Sequence, residues 1–254
     1  MTPPKITNGV LHLTDASLYL ANSVFYSTPQ DIRGFKASFT WQCTTSTNDY
    51  RGDGFAFVIQ GTGPSALGAN GHNLGYTGIG KSVALCFNMG ATSQGIALST
   101  NGLLGSYSGT APVSLRSTSP MKFTVDYDVM ALRIYIQDLS SNDSFTNTYT
   151  IDISGTVGAN TAYIGFTAGS GRAYGYQNLW DFTFESAPVL TVQNAVVVCW
   201  PTQEGKNYQL QYCSDLDTNL WLNIGEAVTG TGSTNCQVDL LGQPRRFYRV
   251  RVVP

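Results

Sequence analysis

Charge is scarce in this chain. Aspartate, glutamate, lysine and arginine make up 12% of its 254 residues, about half the roughly 25% usual in soluble domains. The 14 basic and 16 acidic side chains leave a net charge of −2. A nucleic-acid binder would carry a basic excess, so no nucleic-acid partner is expected. Histidine occurs only as His12 and His72, and no CxxC pair is present, which removes the usual inventory of a zinc site. The five lysines are too few for the charged faces of long helices, and no segment shows an apolar period of 3.6. No apolar run approaches the roughly 18 residues of a membrane span. The opening MTPPKITNG has no charged n-region and no apolar h-region, so no secretion signal is expected within it.

What fills the chain instead is glycine (27), tyrosine (14), serine, threonine and asparagine, the balance of an all-β protein with many turns. Hydrophobic residues at 42% exclude disorder. The length suits one large domain or two smaller ones. Period-two alternation recurs throughout. In Phe35–Cys43, the residues Phe35, Ala37, Phe39, Trp41 and Cys43 share a face, and Trp41 and Trp180 are expected in the core. Further strands are expected over Gly54–Gln60, Ser82–Met89, Phe145–Ile153, Ala162–Ala168 and Asn178–Glu185. Met121–Tyr127 and Leu132–Asp138 flank a turn, giving a hairpin in which Phe123, Val125 and Tyr127 face Leu132, Ile134 and Ile136. Five cysteines is an odd count. They read mostly as small buried hydrophobes, with one or two disulfides possible in an exported protein.

The texture changes near Ser186-Ala187-Pro188, which divides the chain into 1–186 and 187–254. The later part is expected to be a small β-sandwich, with a strand pair over Val189–Trp200, a strand at Tyr208–Tyr212 and a final strand at Arg245–Val252. Trp200 and Trp221 are expected in its core, and Arg245, Arg246, Arg249 and Arg251 on a solvated edge. Two stretches between strands are rich in glycine: Gly61–Gly80 and Gly169–Gly175. Such loops are flexible connectors or backbone shaped to approach a ligand. Neither carries GxxxxGK[ST].

Five stretches in order carry a resemblance. Gly52-Asp53-Gly54-Phe55-Ala56-Phe57 resembles the ADGxAF strand of legume-type lectins. A loop with Leu74-Gly75-Tyr76 follows, then Ser82–Asn88, similar to the VAVEFD strand. Tyr163–Gly171 resembles the VGFSAxTG strand and loop, and Asn178–Phe184 the closing LSWSF strand. The match covers about residues 5–186 and is nearest in texture to bacterial legume-lectin-like domains. It implies a concanavalin A-like jelly-roll sandwich with a sugar site in loops at one end of the concave sheet. By this resemblance Asp53 accepts hydrogen bonds from sugar hydroxyls, and the Gly52-Asp53 peptide is cis. A first-loop glycine donates a backbone N–H, with Gly71 the candidate and Gly68 second. The loop Gly169, Ser170, Gly171, Arg172, Tyr174 and Tyr176 sets specificity, with Tyr174, Tyr176 and Tyr76 able to stack on sugar and Arg172 able to bond hydroxyls. As an isolated pattern, Asp53 also reads as a turn aspartate, and the tyrosines as an ordinary β surface.

The family also implies calcium and a transition metal such as manganese. Here Cys86 and Asn88 stand at the Glu and Asp positions of that strand, and Met89–Gln94 holds no carboxylate. Calcium wants several oxygen ligands with carboxylates among them, so no metal cofactor is expected. The family's sugar-binding asparagine is matched only by Asn88 or Asn101. The last 65 or so residues resemble a small β-module that ends secreted proteins of planctomycete- and verrucomicrobium-like bacteria. The expectation is thus an all-β, secreted or cell-surface, non-catalytic glycan binder. Its alternatives are a glycoside hydrolase or lyase on the same fold, or an adhesion module without a sugar site. A glycosidase needs two carboxylates across a cleft; the nearest pairs are Asp126 with Asp128, read as turn chemistry, and Asp49 with Asp53. His72 has no nucleophile motif beside it.

Overall fold

Alternating apolar side chains build two facing sheets in the first part of this chain. The computed structural model describes residues 3–44, 51–90, 94–188, 195–240 and 245–254. Its chain divides into two units, Met1–Val189 and Leu190–Pro254. In chain order the first unit contains β1 (Lys5–Thr7), β2 (Val10–Thr14), β3 (Ala21–Phe25), β4 (Gln30–Asp31), β5 (Gly34–Thr44), β6 (Gly54–Gln60), β7 (Ser82–Asn88) and β8 (Gly95–Thr100). It continues with β9 (Met121–Asp128), β10 (Ala131–Asp138), β11 (Ser144–Thr150), the short helix α1 (Ile153–Val157), β12 (Thr161–Gly169) and β13 (Tyr176–Ser186). One sheet runs β1-β2-β13-β5-β9-β10-β11; the other runs β3-β12-β6-β7-β8, with β4 also on β12. Neighbouring strands are antiparallel throughout.

The inward faces meet in one aromatic-rich core. Phe39 stacks on Phe123 at 4.9 Å between centroids and meets Phe166 edge-on at 4.9 Å. Trp41 stacks on Phe55 at 4.8 Å. The expected hairpin registers as anticipated, Tyr127 opposite Leu132, Val125 opposite Ile134 and Phe123 opposite Ile136.

β6 and β7 are buried along their whole length, on both faces. Their outer face carries Ala56, Val58, Ala84 and Cys86, with Ala97 beside them, and Leu74, Tyr76 and Ile79 from the glycine-rich loop pack onto it. Small side chains leave room for that loop to lie flat. Gly75 makes one such close approach: its φ is +68°, and a Cβ there would stand 2.8 Å from the Ala168 carbonyl.

Several expectations change. The strand expected over Phe145–Ile153 stops at Thr150, because Asp152 caps α1 by accepting the Gly155 N–H at 2.8 Å. Trp180 is only partly buried. A register shift between Trp180 and Thr183, with Asp181 at φ +53°, adds a residue and turns Leu179 and Phe182 to the core instead. The second unit contains β14 (Ala195–Pro201), β15 (Asn207–Cys213), β16 (Leu222–Thr229), β17 (Thr234–Leu240) and β18 (Phe247–Val253). Where a strand pair was expected over Val189–Trp200, β14 is a single strand paired with β17, and 189–194 lie outside the described residues.

β16-β15-β18 forms a three-stranded sheet, and Trp200, Tyr208 and Leu210 centre this unit's core. Trp221 is not part of that core but lies under Arg249. Arg246 is not solvated either: it pairs with Asp239 at 2.6 Å, both side chains about nine-tenths buried, and Tyr248 donates to the same carboxylate. Cys199 and Cys236 form a disulfide, while Cys43, Cys86 and Cys213 are buried and free.

Candidate functional site

The chain crosses from 51–53 into β6 beside the ends of β7 and β12. There Asp53 is held by its own backbone: its N–H donates to the Gly169 carbonyl at 2.9 Å, and its carbonyl accepts from the Met89 N–H at 2.8 Å. The Gly52-Asp53 peptide is cis, as expected. Two loops meet around the side chain. Gly71 opens a single 3-10 turn, Gly71–Asn73, and donates its N–H to the Ser170 carbonyl at 3.1 Å. Gly171 lies on the other side, so close that a Cβ on it would stand 2.8 Å from Asp53 Oδ2; from Gly71 the same distance would be 3.6 Å.

A third segment, between β2 and β3, joins them. The Tyr19 N–H donates to the Gly171 carbonyl at 3.2 Å, and Asn70 Nδ2 donates to the Tyr19 carbonyl at 2.9 Å. Ser170 ties the same segment down: its hydroxyl donates to the Ser17 carbonyl at 2.8 Å and accepts the Leu20 N–H at 2.9 Å.

Within this frame Asp53 Oδ2 is buried and has no hydrogen-bond partner among the described residues. The Gly171 N–H points its dipole near the carboxylate but bonds to the Ala173 carbonyl at 3.0 Å. Burial raises the Asp53 pKa above its ordinary 3.8, against the opposing pull of His72 and the Gly171 amide. A buried carboxylate oxygen with open lone pairs is costly unless something donates to it.

The structure brings Asp53, Gly71, Gly169, Ser170 and Gly171 together, and corrects several roles. The Gly71 and Gly68 N–H groups are already committed, to the carbonyls of Ser170 and Gly75, so neither is a free donor. Tyr76 is fully buried, its hydroxyl 2.9 Å from Ser82 Oγ and accepting the Gly102 N–H at 3.1 Å. Its ring is core and does not face a ligand. Ser170 is fully buried and its hydroxyl is spent on the frame. Gly169 and Gly171 act through carbonyls that hold Asp53 and Tyr19. Asn88 is 2% exposed and its Oδ1 accepts the Gly90 N–H at 2.7 Å. Asn101 follows β8 at the end far from Asp53, since Gly95 pairs with Asn88 and Thr100 with Val83.

Arg172 is exposed, Tyr174 partly buried and Tyr176 42% exposed at the start of β13. The sequence reading missed Tyr19, an exposed aromatic at φ +57° tied to both loops; the run Leu18-Tyr19-Leu20 was the available signal. It also gave His72 no part beside Asp53. Of the carboxylate pairs, Asp126 sits opposite Arg133 and bonds to it at 3.1 Å, and Asp49 lies outside the described residues.

The resemblance implies calcium and manganese beside Asn88, and the side chains there are poor ligands for either. Cys86 packs in the cluster beneath the glycine-rich loop, and burial pushes its thiol up to about 12, so it stays a neutral sulfur. Asn88 spends its Oδ1 on Gly90, and Arg116 brings a cation to the Met89 carbonyl at 3.2 Å. Among the described residues no group of three His, Cys, Asp or Glu could hold a metal. This donor set does not fit a hard divalent cation.

Comparison with solved structures agrees with the two-sheet fold. A lectin from Bauhinia forficata in complex with GalNAc is 21% identical, with TM-score 0.63, covering 72% of this chain and 90% of that one. Arcelin-5, a lectin-like defense protein from Phaseolus vulgaris, is 18% identical with TM-score 0.60, covering 72% and 90%. The metal-free form of lectin I-B4 from Griffonia simplicifolia is 16% identical with TM-score 0.63, covering 73% and 91%. At these identities the likeness is one of concanavalin A-like architecture. The family itself is shown by sequence, because the legume lectin domain matches residues 4–196. The chain belongs to the legume lectin domain family.

Proposed function

We propose that the first unit binds a glycan at Asp53, without catalysis and without a metal ion, in a secreted or cell-surface protein. The observation that carries this reading is the Asp53 carboxylate, half-buried between two glycines with its Oδ2 unpartnered among the described residues. Asp53 as a whole is only half-buried, so a sugar hydroxyl donates to the accessible side of its carboxylate, and the absence of side chains at Gly71 and Gly171 lets a sugar ring come close. Tyr19, Tyr174 and Tyr176 offer rings at the rim, and Arg172 offers donors for further hydroxyls.

Two family neighbours support a sugar as the ligand: the Bauhinia forficata lectin is in complex with GalNAc, and the winged bean acidic lectin with methyl-α-D-galactose. Metal independence rests on the poor donor set beside Asn88. Secretion rests on the disulfide, which persists in oxidising compartments. With few polar contacts and a shallow site, affinity for one monosaccharide is weak.

The test is a glycan and polysaccharide array probed with wild type and Asp53→Ala, each with calcium and with chelator. Binding that survives chelator and disappears in Asp53→Ala is the expected result. Binding that needs calcium sinks the metal-free part, and no binding to any glycan sinks the lectin reading.

A further inference from the structure

The second unit carries an ordered polar row that its own core does not use. Along β15, Tyr208 and Leu210 point into that core, so Gln209 and Gln211 occupy the opposite face. On β18 Val250 packs on the core, which places Arg249 and Arg251 on that same opposite face, and Ile224 does the same for Asn223 on β16. Arg249 stands directly across from Gln211, and Gln211 across from Asn223.

The three are hydrogen-bonded in line: Arg249 Nε donates to Gln211 Oε1 at 2.9 Å, and Gln211 Nε2 donates to Asn223 Oδ1 at 2.8 Å. The guanidinium lies over the Trp221 ring at 4.1 Å, and the indole N–H is fixed on Asn219 Oδ1 at 3.0 Å.

This arrangement locks one edge and one face of Arg249 and leaves its terminal nitrogens unbonded among the described residues. A guanidinium held in this way presents a planar fork suited to a carboxylate. Arg251, two residues along the same strand, is exposed and forms no ion pair among the described residues. Asn223 keeps its amide N–H groups for hydroxyls. Two cations that form no ion pair among the described residues, beside amides and an aromatic ring on one sheet face, complement a chain that repeats carboxylates and hydroxyls.

We propose that this face binds an acidic polysaccharide, with Arg249 and Arg251 on uronate carboxylates and Asn223 on ring hydroxyls. The site is separate from Asp53 and does not depend on it. A nucleic acid is disfavoured by the scarcity of further basic side chains in this unit.

The test is affinity electrophoresis of the full chain in gels containing polygalacturonate, its methyl-esterified form, or single-stranded DNA. The expected result is retardation by polygalacturonate alone, kept in Asp53→Ala. In the double variant Arg249→Gln/Arg251→Gln it weakens at least tenfold. Arg249→Lys, which keeps the charge but loses the fork and the stack, weakens it severalfold. Near-ultraviolet circular dichroism checks that each variant folds, and Arg251→Gln alone, at an exposed position, serves if the others do not. Equal retardation by the ester or by DNA, no retardation by polygalacturonate, or full retardation of folded Arg249→Gln/Arg251→Gln or Arg251→Gln overturns the proposal. Loss of glycan-array binding in Asp53→Ala leaves this result unmoved, so the two readings fail separately.

Discussion

Asp53 Oδ2 rests against Gly171 at a distance no side chain could share: a Cβ at 171 would sit 2.8 Å from the oxygen. Gly171→Ala must therefore push the carboxylate aside. The backbone bonds around Asp53 run through Gly169 and Met89 and do not involve that methyl. We expect glycan binding to fall more than tenfold, with the melting temperature changed by only about 1–3 °C. Binding by titration and melting by calorimetry check the two halves, and unchanged affinity would place the sugar elsewhere.

The raised pKa of Asp53 makes stability and binding run in opposite directions. Burial disfavours the ionised form, so this residue's destabilising effect is absent below the ordinary value of 3.8 and grows as pH rises through its folded-state pKa. A carboxylate that accepts from hydroxyls binds above that pKa and fails below it. Affinity should thus fall on acidification with a midpoint above 3.8. Asp53→Asn should lose sugar at neutral pH yet melt slightly higher. A titration of affinity against pH and a melting curve of the variant decide both.

Tyr19 and Tyr76 should separate cleanly. Tyr76→Phe strips a buried hydroxyl from Ser82 and from the Gly102 N–H, and unsatisfied buried groups cost about 1–3 kcal/mol. Tyr19→Ala removes an exposed ring whose backbone bonds remain. Denaturant unfolding should register the first change and not the second, and glycan affinity the second. A stable Tyr76→Phe would show that the loop is held by packing alone.

The disulfide between Cys199 and Cys236 joins directly opposed residues of β14 and β17 across a separation of 37. Closing a loop of that length restricts the unfolded chain by about 4 kcal/mol in the entropic account. Cys199→Ala/Cys236→Ala should accelerate hydrogen exchange in β14 and β17 and leave β5 and β9 unchanged. Equal protection in both proteins would refute this.

Most of the sandwich was legible from period-two patterns, because Phe35–Cys43 and Met121–Asp138 each bury one face and pattern alone sets which. The short strands β1, β3 and β4 were not, since two to five residues carry no alternation worth reading. Trp180 was placed inside because a bulge, invisible in sequence, reverses the parity of every residue after it.

At the site, the resemblance located Asp53 and its cis peptide. The role of Tyr76 was misread because a glycine-rich loop looks mobile in sequence, whereas this one fills the outer layer over Ala56 and Ala84. Tyr19 escaped because it reaches the site from a segment distant in sequence, through Gly171 and Asn70.

That outer layer has a consequence for recognition. The segment carrying Gly71 is anchored by Leu74, Tyr76 and Ile79 in the same apolar mass that folding consolidates. Its position is settled before any ligand arrives, so capturing a sugar orders little that is not already ordered. On the proposed glycan reading, selection among sugars is expected to fall to shape at a stiff rim rather than to a loop that adapts. The substitutions that alter the range of sugars accepted should include small residues such as Ala56 and Ala97, buried under the loop and touching no ligand.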